Sequence, residues 1–337
     1  MLVNRPDFEE LGARESLLGS RTIGFMRWVG GTTLALSAAG LTMVGLAALE
    51  ARFPVLRRID VPVPARPGLH EFTILHISDL HMFPGQHFIR DFLAKVARHE
   101  TIDMVVSTGD NLEANEGVGP LLEALEPLLD KPGAFVLGSH DYYSPEFKPW
   151  ISYVFPDSGA NRAKDLSDAR PNLPWLETVR AMTRAGWVDL TNQAGTLAVP
   201  TSVGPHTIAM IGVDDPHIHR DRLPTPDPAW YEEGAFRLAV AHAPYRRVLD
   251  QFARLDADLI MAGHTHGGQI RLPGFGAIVN NVDIPRRYSR GLYDWPSSSS
   301  QNSVNMHLSA GLGVSHFAPI RLFCRPEATL LRVCPTD

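Results

Sequence analysis

The sequence predicts an α/β fold, a layered domain behind an N-terminal transmembrane helix, and three observations lead there. From Glu71 onward, short β-branched or apolar runs alternate with amphipathic stretches of helical period, the pattern of strands and covering helices. Residues that carry chemistry recur just past those runs, and in open α/β sheets ligands bind outside the carboxyl ends of strands. Ahead of all this, residues 28–49 continue for 22 positions without a charge, long enough to cross a bilayer as a helix.

In chain order, residues 1–27 read as a tail and 28–49 as the membrane helix. Trp28 suits an interface, with Arg27 before the run and Glu50 and Arg52 after it. Gly31, Ala35 and Ala39 lie four apart and permit close helix packing. An uncleaved anchor is preferred to a signal peptide, because the run is long, no twin arginine precedes it and A-x-A sites are poor. It is preferred to a buried helix because it precedes the whole catalytic pattern. Arg14, Arg21 and Arg27 on one side face Arg52, Arg57, Arg58 and Arg66 on the other, so the membrane side of the domain stays open. Residues 50–69, rich in proline and without a clear period, read as an extended linker.

The domain proper is 70–337. Strands are predicted at 72–77, 104–108, 134–137, 207–213, 237–241, 259–262, 304–309 and 328–333. Helices are predicted at 87–99, with Phe88, Phe92 and Val96 on one face, at 121–129, and at 245–255, with Val248, Phe252 and Leu255 at helical spacing. The pattern breaks at 143–175, where Trp150, Tyr153, Phe155 and Trp175 occur among prolines. That stretch is expected to be an insertion or a lid.

Composition excludes some functions. A net charge of -6 leaves no basic excess to neutralise phosphates, so no nucleic-acid partner is expected. The two cysteines, Cys324 and Cys334, make neither a disulfide framework nor a zinc knuckle, and one bridge or two free thiols remain open. Oligomeric state is not legible.

Five motifs carry chemistry. In Ser78-Asp79-Leu80-His81, residues i and i+2 of an extended chain project to one face, so Asp79 and His81 can reach one ion. Thr108-Gly109-Asp110-Asn111 places a carboxylate past an apolar run, and its two oxygens can bridge two cations; in isolation a turn or helix-cap role is the plainer reading. Gly138-Ser139-His140-Asp141 follows the third strand and His242 the fifth. Gly263-His264-Thr265-His266-Gly267-Gly268-Gln269 sets two imidazoles among glycines that let the backbone approach closely, and it is distinctive even alone.

In this order the five motifs resemble the calcineurin-like metallophosphoesterase family, over roughly residues 70 to 333, with wording closest to its membrane-associated bacterial branch. The resemblance implies a four-layer α/β/β/α sandwich and two divalent metal ions. It assigns one to Asp79, His81, His266 and an oxygen of Asp110, and the other to the second Asp110 oxygen, Ser139, His242 and His264. Mixed carboxylate and imidazole ligands suit Mn²⁺, Fe or Zn²⁺. The implied reaction is hydrolysis of a phosphodiester or pyrophosphate by a metal-activated water, with a lipid-linked phosphoester among the candidate substrates. His140 would protonate the leaving oxygen, and Asp141 would orient or support its ring. Ser139 and His140 would also touch the substrate.

One position departs from the family pattern, which usually has Asn at 139. Ser139 is shorter and neutral, which predicts a weaker second metal and keeps open a weakly active or purely binding protein. Phosphomonoester hydrolysis by the same cage is a further alternative. Asp214, Asp215 and His217 form either a supporting shell or a solvated acidic turn. Arg286, Arg287, Tyr288 and Arg290 form either a phosphate clamp or a surface basic patch.

Overall fold

The computed structural model describes residues 40, 42–145, 169–201, 204–297 and 303–336. The chain divides into two units, Met1–Ala47 and Ala48–Asp337. Of the first, the described residues are helical. Most of the expected membrane helix at 28–49 lies outside the described residues, and no helix among those described is long and apolar enough to cross a membrane.

The second unit holds two six-stranded sheets. The first contains β1 (Val55–Pro64), β2 (Phe72–Ile77), β3 (Met104–Ser107), β4 (Gly133–Phe135), β5 (Val188–Asp189) and β14 (Glu327–Thr336), in the order β1-β14-β2-β3-β4-β5. The second contains β6 (Ala194–Thr201), β7 (Gly204–Gly212), β8 (Phe236–Val240), β9 (Leu259–Ala262), β12 (Gly291–Pro296) and β13 (Ser303–Leu308), in the order β12-β13-β9-β8-β7-β6. A small hairpin pairs β10 (Arg271–Leu272) with β11 (Gly276–Ala277). Strands β2 to β5 run parallel, as do β7, β8, β9 and β13.

The period of two in each strand separates three cores. Ile74, Val106 and Val136 of the first sheet meet Met210, Leu238 and Met261 of the second in an inter-sheet core. The alternate residues Leu75, Ile77, Val105 and Phe135 face helices α1 (His87–His99), α2 (Val118–Leu125) and α4 (Trp175–Arg184). On the far side, Ile211, Ala239 and Ile260 pack on Val248 and Phe252 of α5 (Arg246–Arg254). Each fully buried side chain of this size contributes ~1.5–3 kcal/mol, so both faces of each sheet need a cover. The result is four layers, helix, sheet, sheet, helix. A short helix, α3 (Ser139–Tyr142), opens directly after β4.

Several elements depart from expectation. Residues 55–64, read as linker, form strand β1, paired in parallel with β14. Its prolines obscured a period of two in which Val61 and Val63 point inward and are buried. Proline is tolerated there because β1 is an edge strand, with no strand paired on its far side among the described residues. The stretch 143–175 is only partly described: Trp150, Tyr153 and Phe155 lie outside the described residues. Trp175 belongs to no loop; it starts α4 and its ring meets Tyr142 edge-on at 5.3 Å. Cys324 and Cys334 are both free thiols.

Candidate metal centre

The carboxyl ends of the parallel strands in both sheets meet at one rim. There β2 delivers Asp79 and His81, β3 Asp110, β4 Ser139 and His140, β8 His242, and β9 His264 and His266. Five of these, Asp79, His81, Asp110, His264 and His266, have φ between 47° and 65°. The left-handed region costs a non-glycine residue about 1–3 kcal/mol, and such strain concentrates at functional sites. The reading of Asp79-Leu80-His81 as extended chain is corrected here: both residues turn left-handed to bring their side chains inward.

Three groups of candidate ligands result among the described residues, one of them His81, Glu113 and His140, and two more that include the strand-end carboxylates. Of those two, Asp79, His81 and His266 form the first and Asp110, His242 and His264 the second, each with ligand atoms all within 4.8 Å of one another. Asp110 stands between them: its Oδ2 lies 3.7 Å from His81 Nε2 and 3.3 Å from His242 Nε2. Glycines make the approach possible. A Cβ at Gly138 would come 2.3 Å from Asp110 Oδ1, and one at Gly311 would come 2.6 Å from Asp79 Cβ. Ser139, next after Gly138, is buried at the start of α3.

The tautomers of His81 and His242 fit cation binding. His81 Nδ1 is 2.8 Å from Glu113 Oε2, and His242 Nδ1 is 2.7 Å from the Thr108 carbonyl oxygen. Both oxygens only accept, so the rings donate from Nδ1 and turn Nε2 toward Asp110. A bare Nε2 lone pair against a carboxylate is repulsive unless positive charge intervenes, from a proton or a metal. Burial opposes that charge on His81, but the Glu113 hydrogen bond and charge outweigh it and push the pKa up to about 9. Burial likewise opposes it on His242, and Asp110 and Asp215 raise that ring well above its ordinary range. A cation bound at these Nε2 atoms would take the place of a proton. His266 differs, since its Nδ1 receives Arg321 Nη2 at 3.2 Å, while its Nε2 lies 3.2 Å from His81 Nε2. Arg321 is fully buried and also donates to the carbonyls of Gly311 and Gly313.

Several residues take other places than expected. The carboxylate of Asp141 does not support the His140 ring; it accepts from the backbone N–H groups of Asp110, Asn111 and Gly138 at 2.9, 3.0 and 2.9 Å. Its buried carboxyl is pushed up to about 6, and its role is to hold the loop that carries Asp110. The carboxylate facing His140 is Glu113, 3.6 Å from Nδ1. His140 also donates its backbone N–H to Asp110 Oδ1 at 2.7 Å, and burial lowers the pKa of its ring. Asn111, a conceivable substitute for Ser139 as ligand, bonds Ser107 and Asp141 instead.

Asp214, Asp215 and His217 are no solvated turn. Asp214 accepts from Tyr142 and Arg220, and Asp215 is fully buried with its carboxyl pushed up to about 7 by that burial. The His217 ring lies 4.4 Å from that of His264. Arg286 stacks over Phe275 and Arg287 over Tyr288, outside both ligand groups. Glu113 and Arg321 were missed by sequence reasoning. Glu113 follows Asp110 by three residues and carried a faint signal, whereas nothing near Arg321 marks it.

Helix-backed sheets that deliver buried carboxylates and imidazoles to one rim define a hydrolase of the metallophosphoesterase class. Residues 72–268, more than half of the chain, match the model of the calcineurin-like phosphoesterase family. Phosphodiesterase YaeI of Escherichia coli (strain K12) is 32% identical over 267 residues, covering 78% of this chain and 82% of that protein. UDP-2,3-diacylglucosamine pyrophosphatase LpxG of Chlamydia trachomatis serovar D is 26% identical over 336 residues, 89% of this chain and 95% of its own. A transmembrane protein with metallophosphoesterase domain from Bos taurus is 26% identical over 305 residues, 86% of this chain and 59% of that one. The chain belongs to the calcineurin-like phosphoesterase family, hydrolases acting on phosphoric ester bonds.

Proposed function

We propose that this chain hydrolyses a phosphodiester or pyrophosphate at a centre for two divalent cations, Mn²⁺, Fe or Zn²⁺ by ligand type. The observation that carries the reading is Asp110 Oδ2, placed between one imidazole of each group. Asp79, His81 and His266 would hold one cation and His242, His264 and Ser139 the other, with Asp110 common to both. Such a pair, when bound, offsets charge on the phosphoryl oxygens and acidifies water.

The chain's own residues supply the rest. His140, partly exposed at the rim and fixed by its backbone bond to Asp110, is placed to give a proton to the departing oxygen. Glu113 stands beside it to support the cationic ring, the part expected of Asp141. Ser139 has a shorter reach than an amide, so the second cation is the weaker-held. The activities for which YaeI and LpxG are named favour diester or pyrophosphate over monoester. The uncharged run at 28–49, together with the transmembrane relative, favours a membrane anchor and so a substrate at the membrane, with a lipid-linked phosphoester the leading candidate.

The test uses the full chain in detergent, metal-stripped and then titrated with Mn²⁺ or Zn²⁺. Turnover of an aryl phosphodiester that exceeds turnover of the matching monoester and needs two equivalents of metal supports the reading. One equivalent sufficing, or neither ester turning over at full loading, would sink it.

A further inference from the structure

Between the sheets, where the core is largely apolar, runs a line of hydrogen bonds that the proposed chemistry does not use. His76 lies on β2 two residues after Ile74, and His307 lies on β13 between Met306 and Leu308, which face the outer core. Alternation therefore turns both rings inward, and both are fully buried. Their Nδ1 atoms are 2.8 Å apart, His76 Nε2 is 3.0 Å from Thr108 Oγ1, and Thr108 Oγ1 is 2.6 Å from Ser78 Oγ. Ser78 in turn bonds Asp79 Oδ2.

The direction of every bond follows from the last one. An ionised carboxylate only accepts, so the Ser78 proton points to Asp79. Ser78 then accepts from Thr108, and Thr108 accepts from His76, which carries its proton on Nε2. His76 Nδ1 must accept, so His307 donates from Nδ1. Burial pushes His307 down to about 3 and lowers His76 as well, so each ring is neutral with one N–H to give. His307 Nε2 has no hydrogen-bond partner among the described residues, as the far end of a one-way line would leave it. A third strand end makes room for the line. A Cβ at Gly263 would meet Ser78 Oγ at 1.9 Å, Asp79 Oδ2 at 2.5 Å and Thr108 Oγ1 at 3.0 Å.

We infer that His307 and His76, acting through Thr108 and Ser78, are positioning residues that select which oxygen of Asp79 meets the metal. Asp79 Oδ2 takes the Ser78 hydroxyl, the His264 backbone N–H lies 3.1 Å from both oxygens, and Oδ1, 3.6 Å from His266 Nε2, faces the first ligand group. The inference rests on the reading of Asp79 as a metal ligand. Buried polar lines are retained at a cost in an apolar core, and outer partners of ligands typically govern metal affinity about 10–100-fold.

The test has two independent arms on the full chain. In ¹⁵N spectra, His76 is expected protonated at Nε2 and His307 at Nδ1; the opposite tautomer at either ring overturns the inference whatever any variant does. Metal competition then compares Thr108→Val, which keeps shape and cuts the line, with Thr108→Ser, which keeps the hydroxyl. Thr108→Val is expected to weaken the tighter metal about tenfold or more, with Thr108→Ser restoring most of the affinity. Equal affinity for both variants and wild type, with Asp79→Asn losing the metal, overturns the positioning role alone. Unchanged affinity in Asp79→Asn overturns the ligand reading itself, and the positioning role with it.

Discussion

The two ligand groups are held in different ways. In the first, every ligand leans on a buried side chain, His81 on Glu113, His266 on Arg321 and Asp79 on Ser78 and the line behind it, with one backbone N–H, that of His264, also reaching Asp79. In the second, the supports are largely backbone. His242 bonds the Thr108 carbonyl, Asp110 accepts the His140 N–H, and His264 Nε2 has no partner among the described residues. Side-chain supports can be removed one at a time, so the first group can be tuned by substitution at a distance. Backbone supports cannot, so the second group responds chiefly to changes in its own ligands. Of the ligand set that the family resemblance implies, the one position expected to depart, Ser139, falls in the second group.

The sharpest way to break the comparison is at the one residue both groups share. Asp110→Asn should lose nearly all turnover and the binding of both metals together; loss of only one metal would show that Asp110 is not common to the two. His140→Gln should lower kcat about 10²–10⁴-fold on a phenyl ester, with much of the loss recovered on a nitrophenyl ester, whose leaving group needs little protonation. Equal losses on both esters would remove His140 from the acid role. Glu113→Gln should weaken the tighter metal about 10–100-fold and spare the weaker one, read by competition with a chromophoric chelator. Ser139→Asn should act in the opposite sense, tightening only the weaker metal by about tenfold.

A last prediction concerns pH and stability rather than the metals. His307 has a folded pKa near 3 against an ordinary 6.5, so the unfolded chain binds the extra proton between those values. Stability is then full above pH 6.5 and falls as pH drops toward 3, by about 1.4 kcal/mol per unit for this one proton. Urea unfolding of wild type and His307→Gln should differ in slope by that amount, and parallel slopes would show that the ring titrates in the folded protein.

Much of the rim was legible because chemistry and secondary structure coincide in sequence there. Asp79, Asp110, His140, His242, His264 and His266 each stand just past an apolar run, and 72–77, 87–99 and 259–262 read as the elements the structure contains. Edge strands were less legible. β1 carries Pro62 and Pro64, which speak against a strand until the chain is known to sit at an edge. Asp141 read as a partner of its neighbour His140 because the sequence offers adjacency, whereas its side chain turns to backbone groups some thirty residues away in sequence. Arg321 and His307 gave no local signal, because each acts on a residue more than fifty positions distant.

By itself, then, the sequence determined the alternation of layers and the identity of the acids and imidazoles at the strand ends, since both depend on local period and residue chemistry. Only the tertiary structure decided which candidate ligands share a group, which side chain braces each, and that five of them sit in left-handed backbone. Those are matters of distance between segments far apart in the chain, and they exist only once both sheets have packed and their carboxyl ends have met at one rim.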